Sequence, residues 1–151
     1  MSGVLDCLRG EHTVILGVIN ELSVRAHDPI ACEADRLHML ALTRFLHEYV
    51  DVIHHGKEEH VLFPMMRTNP SLADLADLLN DEHEQGRTLA KRITELLTQP
   101  PFDARLSASI DAYVDLLREH IEKEERMIFA TVENTLDATE IQQLGHDLVA
   151  Y

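Results

Sequence analysis

The sequence predicts an all-α fold: an up-down-up-down antiparallel four-helix bundle with a short fifth C-terminal helix, in a single domain over residues 1–151. Three observations predict it. Apolar residues recur at alternating spacings of three and four through every long segment, the signature of an amphipathic helix. Prolines at positions 29, 64, 70, 100 and 101 punctuate the segments and leave only short connections between them. No segment alternates with period two over a useful length.

The elements follow in order. Over residues 4–25 the stripe is Leu5, Leu8, His12, Ile15, Ile19 and Leu22, with one histidine inside it, and the stretch around His27-Asp28-Pro29 ends the helix. Residues 35–65 carry Leu37, Leu40, Arg44, His47, Asp51, His54, Glu58, Val61 and Met65, a stripe that is polar at its centre. The third helix, about residues 71–98, opens at Ser71 as N-cap and presents Leu72, Ala76, Leu79, His83, Gly86, Ala90, Ile93 and Leu97. The fourth, about 103–133, presents Leu106, Ile110, Tyr113, Leu117, His120, Glu124 and Met127. A fifth, about 138–150, is opened by Asp137 with Glu140 three residues on, and shows Ile141, Leu144 and Leu148 on one side.

Composition narrows the function classes. Thirteen Lys and Arg against 27 Asp and Glu give a net charge of −14. A chain this acidic is repelled by phosphate backbones and anionic lipid, which speaks against nucleic acid or membrane as partner. No apolar run approaches the ~20 residues of a membrane span, and the N-terminus lacks the pattern of a secretory signal, so a cytoplasmic location is expected. Cys7 and Cys32 form no C-x-x-C pair and read as reduced bystanders. Histidine is the unusual component, at 10 residues.

Those histidines fall into an internal repeat. His54-His55-Gly56-Lys57-Glu58-Glu59-His60-Val61-Leu62-Phe63 and His120-Ile121-Glu122-Lys123-Glu124-Glu125-Arg126-Met127-Ile128-Phe129 both read H-x-x-K-E-E-x-x-[LI]-F. Upstream of each lies a helix with one Glu-His pair in its core stripe, Glu11-His12 and Glu82-His83. Residues four apart share a helix face, so His54/Glu58 and His120/Glu124 each point together into a shared interior with His12 and His83. Burying four imidazoles and two carboxylates is costly unless their lone pairs find a cation. Mixed imidazole and carboxylate ligands suit iron, manganese or zinc better than calcium or magnesium. Ferritin-like E-x-x-H pairs do not occur, and His47-Glu48 begins H-E-x-x-H without completing it.

Through His12, H-H-G-K-E-E-H-V-L-F-P at 54–64, E-H-E-Q-G-R at 82–87 and H-I-E-K-E-E at 120–125, the chain resembles the hemerythrin-like (HHE cation-binding) family over nearly its whole length. The resemblance implies two Fe ions in an oxo- or hydroxo-bridged non-haem di-iron centre, with Mn or Zn the lesser alternatives. It further implies His12 and His54 on one iron, His83 and His120 on the other, and Glu58 and Glu124 bridging. The implied function is binding of, and reaction with, a small oxidant (O2, H2O2 or NO), by catalase- or peroxidase-like or NO-handling activity with an electron donor that the sequence does not identify. An iron- or oxygen-sensing module acting through a protein partner, a reversible O2-binding protein and a structural zinc bundle are the rivals.

Two departures from oxygen-carrying hemerythrins stand out. Their third helix has H-x-x-x-H where this chain has Arg87, and they have an aspartate five residues after the last histidine where this chain has Glu124 at four. The set is then four histidines and two glutamates, one imidazole short. Gly86 is a candidate opening toward the metals. His55 is the one ambiguous histidine: repeat register aligns it with Ile121 and favours a flanking or ligand-supporting role over that of a seventh ligand. His47 and Tyr113, which occupy matching repeat positions, and Arg87 are further candidates for supporting contacts. Lys57, Lys123, Glu59 and Glu125 read as solvated flanks. His27, His38, His60 and His146 read as surface residues. The fifth helix caps the bundle or mediates self-association into a homo-oligomer.

Overall fold

The computed structural model describes residues 3–151, and over these the chain is helical throughout with no strand. Helix α1 is Asp6–Arg25. Helix α2 spans residues 33–67 as one rod of changing pitch: α-helical Glu33–Leu46, π-helical His47–His54, an α turn His55–Lys57, π-helical Glu58–Leu62, and α-helical Phe63–Arg67. Helix α3 is Pro70–Leu97. Helix α4 spans residues 104–135, with π-helical Glu124–Ile128 between α-helical Ala104–Lys123 and Phe129–Thr135. Helix α5 is Ala138–Ala150. Each long helix packs on the next, and α4 returns to α1.

Caps set the helix starts. The N-cap of α3 is Asn69 rather than Ser71: its side chain accepts from the Ser71 N–H at 2.9 Å, and Pro70 takes the first helical position, where its missing N–H costs nothing. Asp103 accepts from the Arg105 N–H at 3.0 Å. Asp137 and Glu140 form the reciprocal capping box expected from their spacing, both bonds at 2.9 Å.

In α1 and α3 the buried residues are those of the sequence stripes. In α2 and α4 they differ. Leu37, Arg44 and His47 are exposed, and Met39, Thr43 and Leu46 are buried instead; Met127 is half-exposed and its neighbour Ile128 is buried. The cause is the π-helical pitch. From Leu46 the inward positions run Val50, His54, Glu58, Leu62 and Met66, a uniform spacing of four, and in α4 they run His120, Glu124, Ile128 and Val132. A plain α-helix rotates such a stripe steadily off the core, whereas wider π turns hold it inward, and such turns gather at functional sites. Ile128→Ala is therefore expected to destabilise by about 2–5 kcal/mol and Met127→Ala by less than about 0.5 kcal/mol, as thermal denaturation would show. Equal costs would refute this register.

The apolar interior forms two clusters. One holds Ile15, Ile19, Leu22, Leu46, Val50, Ile93, Leu97, Ile110 and Leu117. The other holds Leu5, Leu8, Leu62, Phe63, Met66, Leu79, Ile128 and Phe129, closed by Leu144 and Leu148 of α5. The histidines fall between them: His12 between Leu8 and Ile15, His54 between Val50 and Leu62, His83 between Leu79 and Ile93, His120 between Leu117 and Ile128. Helix α5 reaches back to α2, where the Tyr151 hydroxyl donates to the Val52 carbonyl at 3.3 Å. Gly56 lies under that tyrosine, which leaves no room for a β-carbon without displacing the ring.

Candidate metal centre

The six side chains singled out by the repeat meet in the interior, and a seventh joins them. His12, His54, Glu58 and Glu124 form one buried group of converging donor atoms; His55, Glu58, His83 and His120 form a second. Glu58 belongs to both: its Oε1 lies 3.5 Å from His54 Nε2 and its Oε2 lies 3.1 Å from His83 Nε2. Glu124 spans the same divide, with Oε2 3.0 Å from His12 Nε2 and Oε1 3.1 Å from His120 Nε2. All seven residues are at most 2% exposed.

Several of these atoms are orphans. His12 Nε2, His54 Nε2 and both oxygens of Glu58 and Glu124 have no hydrogen bond, although the His–Glu separations just given are short, and His55 Nδ1, which lies beside Asp51, has none either. The atoms are close but not aimed along donor–acceptor lines. Buried polar atoms are otherwise nearly always hydrogen-bonded, so lone pairs converging without partners fit a bound cation and fit little else.

His55 departs from the flanking role that repeat register suggests. Its ring stacks on that of His83 with centroids 3.6 Å apart, and α2 turns it inward through the widened pitch beside it. Burial first, and then the neighbouring His83, His120 and His54, push its pKa well below the usual value, so His55 is neutral and keeps a free lone pair. Burial works against charge on His120 too, but Glu124 and Glu82 outweigh it and lift that histidine to about 10. Burial disfavours a charged Glu124 likewise, yet His120 and His12 hold it well below the usual carboxylate range.

Four further glutamates orient the outward ring nitrogens. Glu11 of α1 lies 3.5 Å from His54 Nδ1 on α2; Glu59 of α2 lies 2.8 Å from His83 Nδ1 on α3. Glu82 of α3 lies 2.7 Å from His120 Nδ1 on α4, and Glu125 of α4 lies 2.6 Å from His12 Nδ1 on α1. Each helix thus holds the histidine of the next, and the ring closes. A cation steadies each carboxylate: Lys57 on Glu11 at 2.9 Å, Arg87 on Glu59 at 2.5 Å, Lys123 on Glu82, and Arg9 beside Glu125 at 4.0 Å. Lys57, Lys123, Glu59 and Glu125 are therefore parts of the site rather than solvated flanks. A carboxylate on Nδ1–H fixes the tautomer and leaves Nε2 as the inward donor. Glu82→Gln is expected to lower metal affinity about 10–100-fold in a chelator competition, and an unchanged affinity would show that the ring does not support the site.

The remaining candidates fall around this centre. Arg87 is bound to Glu59 and Glu84 and serves the ring. His47 is exposed, with Nδ1 3.3 Å from Asp51 Oδ2, and does not reach the donor cluster. Asp51 is buried, and its Oδ1 lies 3.4 Å from His55 Nδ1. The buried Tyr113 hydroxyl has no partner, and burial raises its pKa strongly. Gly86 is buried on the inner face of α3, where a β-carbon would meet Leu116 of α4 at an ordinary 3.8 Å. His27, His38 and His146 pair at the surface with Asp111, Glu21 and Asp147, and His60 bonds the Gly56 carbonyl. The sequence reading missed Asp51 and the glutamate ring, although each ring glutamate adjoins a donor residue: Glu11-His12, Glu58-Glu59, Glu82-His83 and Glu124-Glu125.

Comparison with known proteins agrees with this geometry. An uncharacterized protein of Mycobacterium tuberculosis is 26% identical over 111 residues, covering 69% of this chain and 41% of that protein. A protein of Nostoc sp. named DNA nickase is 24% identical over 148 residues, 97% of this chain and 38% of that protein. The chain thus spans about two fifths of the length of the curated relatives it matches. The family model of the hemerythrin HHE cation-binding domain matches residues 3–132, which include all seven converging donors, and the chain belongs to that family.

Proposed function

We propose that this chain is a hemerythrin-like non-haem di-iron protein, an up-down-up-down bundle that binds and reacts with a small oxidant such as O2, H2O2 or NO. The observation that carries the reading is the pair of donor groups sharing Glu58, with orphaned inward atoms on both carboxylates. His12 and His54 would hold one ion, His55, His83 and His120 the other, and Glu58 and Glu124 would lie between the two. Iron held by these residues would supply Fe(II)/Fe(III) cycling to a small oxidant. The chain's own residues set the conditions: Nε2 donors fixed by the glutamate ring, and ring faces that exclude water. Phe129 stacks on His12 at 5.5 Å, and Phe63 tilts against His83 at 5.3 Å.

His55 restores the fifth imidazole that the third helix lacks, from a different helix. The donors then divide three imidazoles against two, so the ion held by His12 and His54 would have the fewer protein ligands. This favours reversible O2 binding as a second reading. The greater length of the relatives favours a third, an iron- or oxygen-sensing module that acts through other segments or a partner. The name of the Nostoc relative does not bring nucleic acid into the proposal, because a net charge of −14 opposes binding to phosphate backbones. No helix among the described residues is long and apolar enough to cross a membrane.

Elemental analysis of untagged protein prepared without added metal tests the reading. Two irons per chain are expected, followed by a spectral change on adding peroxide, O2 or NO to the reduced protein. Stoichiometric zinc, or no metal from iron-replete cells, would overturn it.

A further inference from the structure

Between α2 and α3 a cavity of about 610 Å³ opens beside the metal centre, lined by Leu40, Thr43, His47, Asp51, Ala90 and Thr94, with Arg44, Arg87 and Lys91 along its edges. Its size falls within the range of small-molecule sites. It exists because α2 and α3 face each other there through Thr43, Ala90 and Thr94, where a bundle ordinarily packs larger apolar residues. Thr43 and Thr94 turn their hydroxyls onto their own helices, toward the carbonyls of Met39 at 2.8 Å and Ala90 at 3.1 Å. Their methyl groups are left to form apolar walls with Leu40 and Ala90.

The polar groups are few and separated. Asp51 is buried and has only His47 at 3.3 Å and His55 at 3.4 Å near its oxygens, so a carboxylate with room for about four acceptor contacts keeps capacity for another donor. Arg44 is occupied by Glu48, and Arg87 by Glu59 and Glu84. Lys91 is exposed and has no ion pair or hydrogen bond among the described residues. It stands one helical turn along α3 from Arg87, whose charge acts on Asp51. An ammonium ligand at Asp51 would meet Lys91, the cation of this cavity without a carboxylate partner among the described residues. A neutral O–H donor meets no such repulsion, and an anionic group at its other end finds Lys91.

We propose that this cavity binds a small phenol carrying an anionic substituent: the phenol O–H donates to Asp51, the ring lies between the Thr43 and Thr94 methyls and Ala90, and the anion pairs with Lys91. The site is built from α2 and α3 alone and does not depend on the identity of the metal.

The test is titration of the metal-free and metal-loaded protein with 4-hydroxybenzoate, followed by calorimetry and amide chemical shifts, with phenol as the uncharged control. Saturable binding to both forms is expected, with shifts at residues 43, 51, 90 and 94. Lys91→Glu, an exposed change that spares the fold, should weaken 4-hydroxybenzoate about tenfold or more and leave phenol unchanged. Thr94→Trp, which fills the cavity from its exposed side, should abolish both. No saturable binding to the wild type, or binding indifferent to both variants, would overturn the proposal. Binding lost in Thr94→Trp but indifferent to Lys91→Glu would overturn the anionic assignment. Binding to the metal-loaded form alone would point to coordination at the metal and overturn the cavity as the site.

Discussion

Glu58→Ala is expected to empty both halves of the metal site at once, because Glu58 is the one residue common to the two donor groups. An ion present at a thousand times its Kd stabilises the folded state by about 4 kcal/mol, and that contribution disappears with the ion. For a domain of this size each ion lost corresponds to roughly 8–16 °C in Tm, and the loss of both to about twice that. The comparison needs metal-free wild type beside metal-free variant, whose melting temperatures should lie far closer together than those of the metal-loaded pair. Full metal at wild-type affinity in Glu58→Ala would sink the shared-carboxylate assignment.

The second large effect is expected at His55. Leucine keeps most of the imidazole's volume without its lone pair, so His55→Leu leaves the α2 packing intact and removes one donor from one group only. The stoichiometry after exhaustive dialysis should fall from two ions per chain toward one, with affinity for the second ion down about a hundredfold or more. Far-UV circular dichroism should stay that of the wild type. Retention of two ions at unchanged affinity would return His55 to the flanking role that repeat register suggests.

How much of this was legible depends on helical pitch. In α1 and α3, which are uniformly α-helical, every stripe residue from Leu5 to Leu22 and from Leu72 to Leu97 is buried as read. In α2 and α4 the assumption of alternating threes and fours places Arg44, His47 and Met127 inward, where the widened turns bring Thr43, Leu46 and Ile128 instead. His54, Glu58, His120 and Glu124 survive because their own spacing is four. His55 escaped for a related reason. An isoleucine as its repeat partner suggests a flank, yet Ile121 is itself 3% exposed, so both repeats turn that position inward. The carboxylate ring lay outside reach, since side chains on different helices that hold one another leave no period along the chain.

The division of the apolar interior into two clusters has a consequence of its own. This molecule has a polar waist between two apolar ends, and the layer of five buried histidines and two buried glutamates that crosses it is held by charge rather than by contact between apolar side chains. Cohesion across the waist is therefore chemical and titratable, whereas cohesion within each end is generic and persists. Local opening follows the weakest connection in a structure. Opening is therefore expected first at the waist, the part of the bundle whose cohesion depends on its ionisable groups.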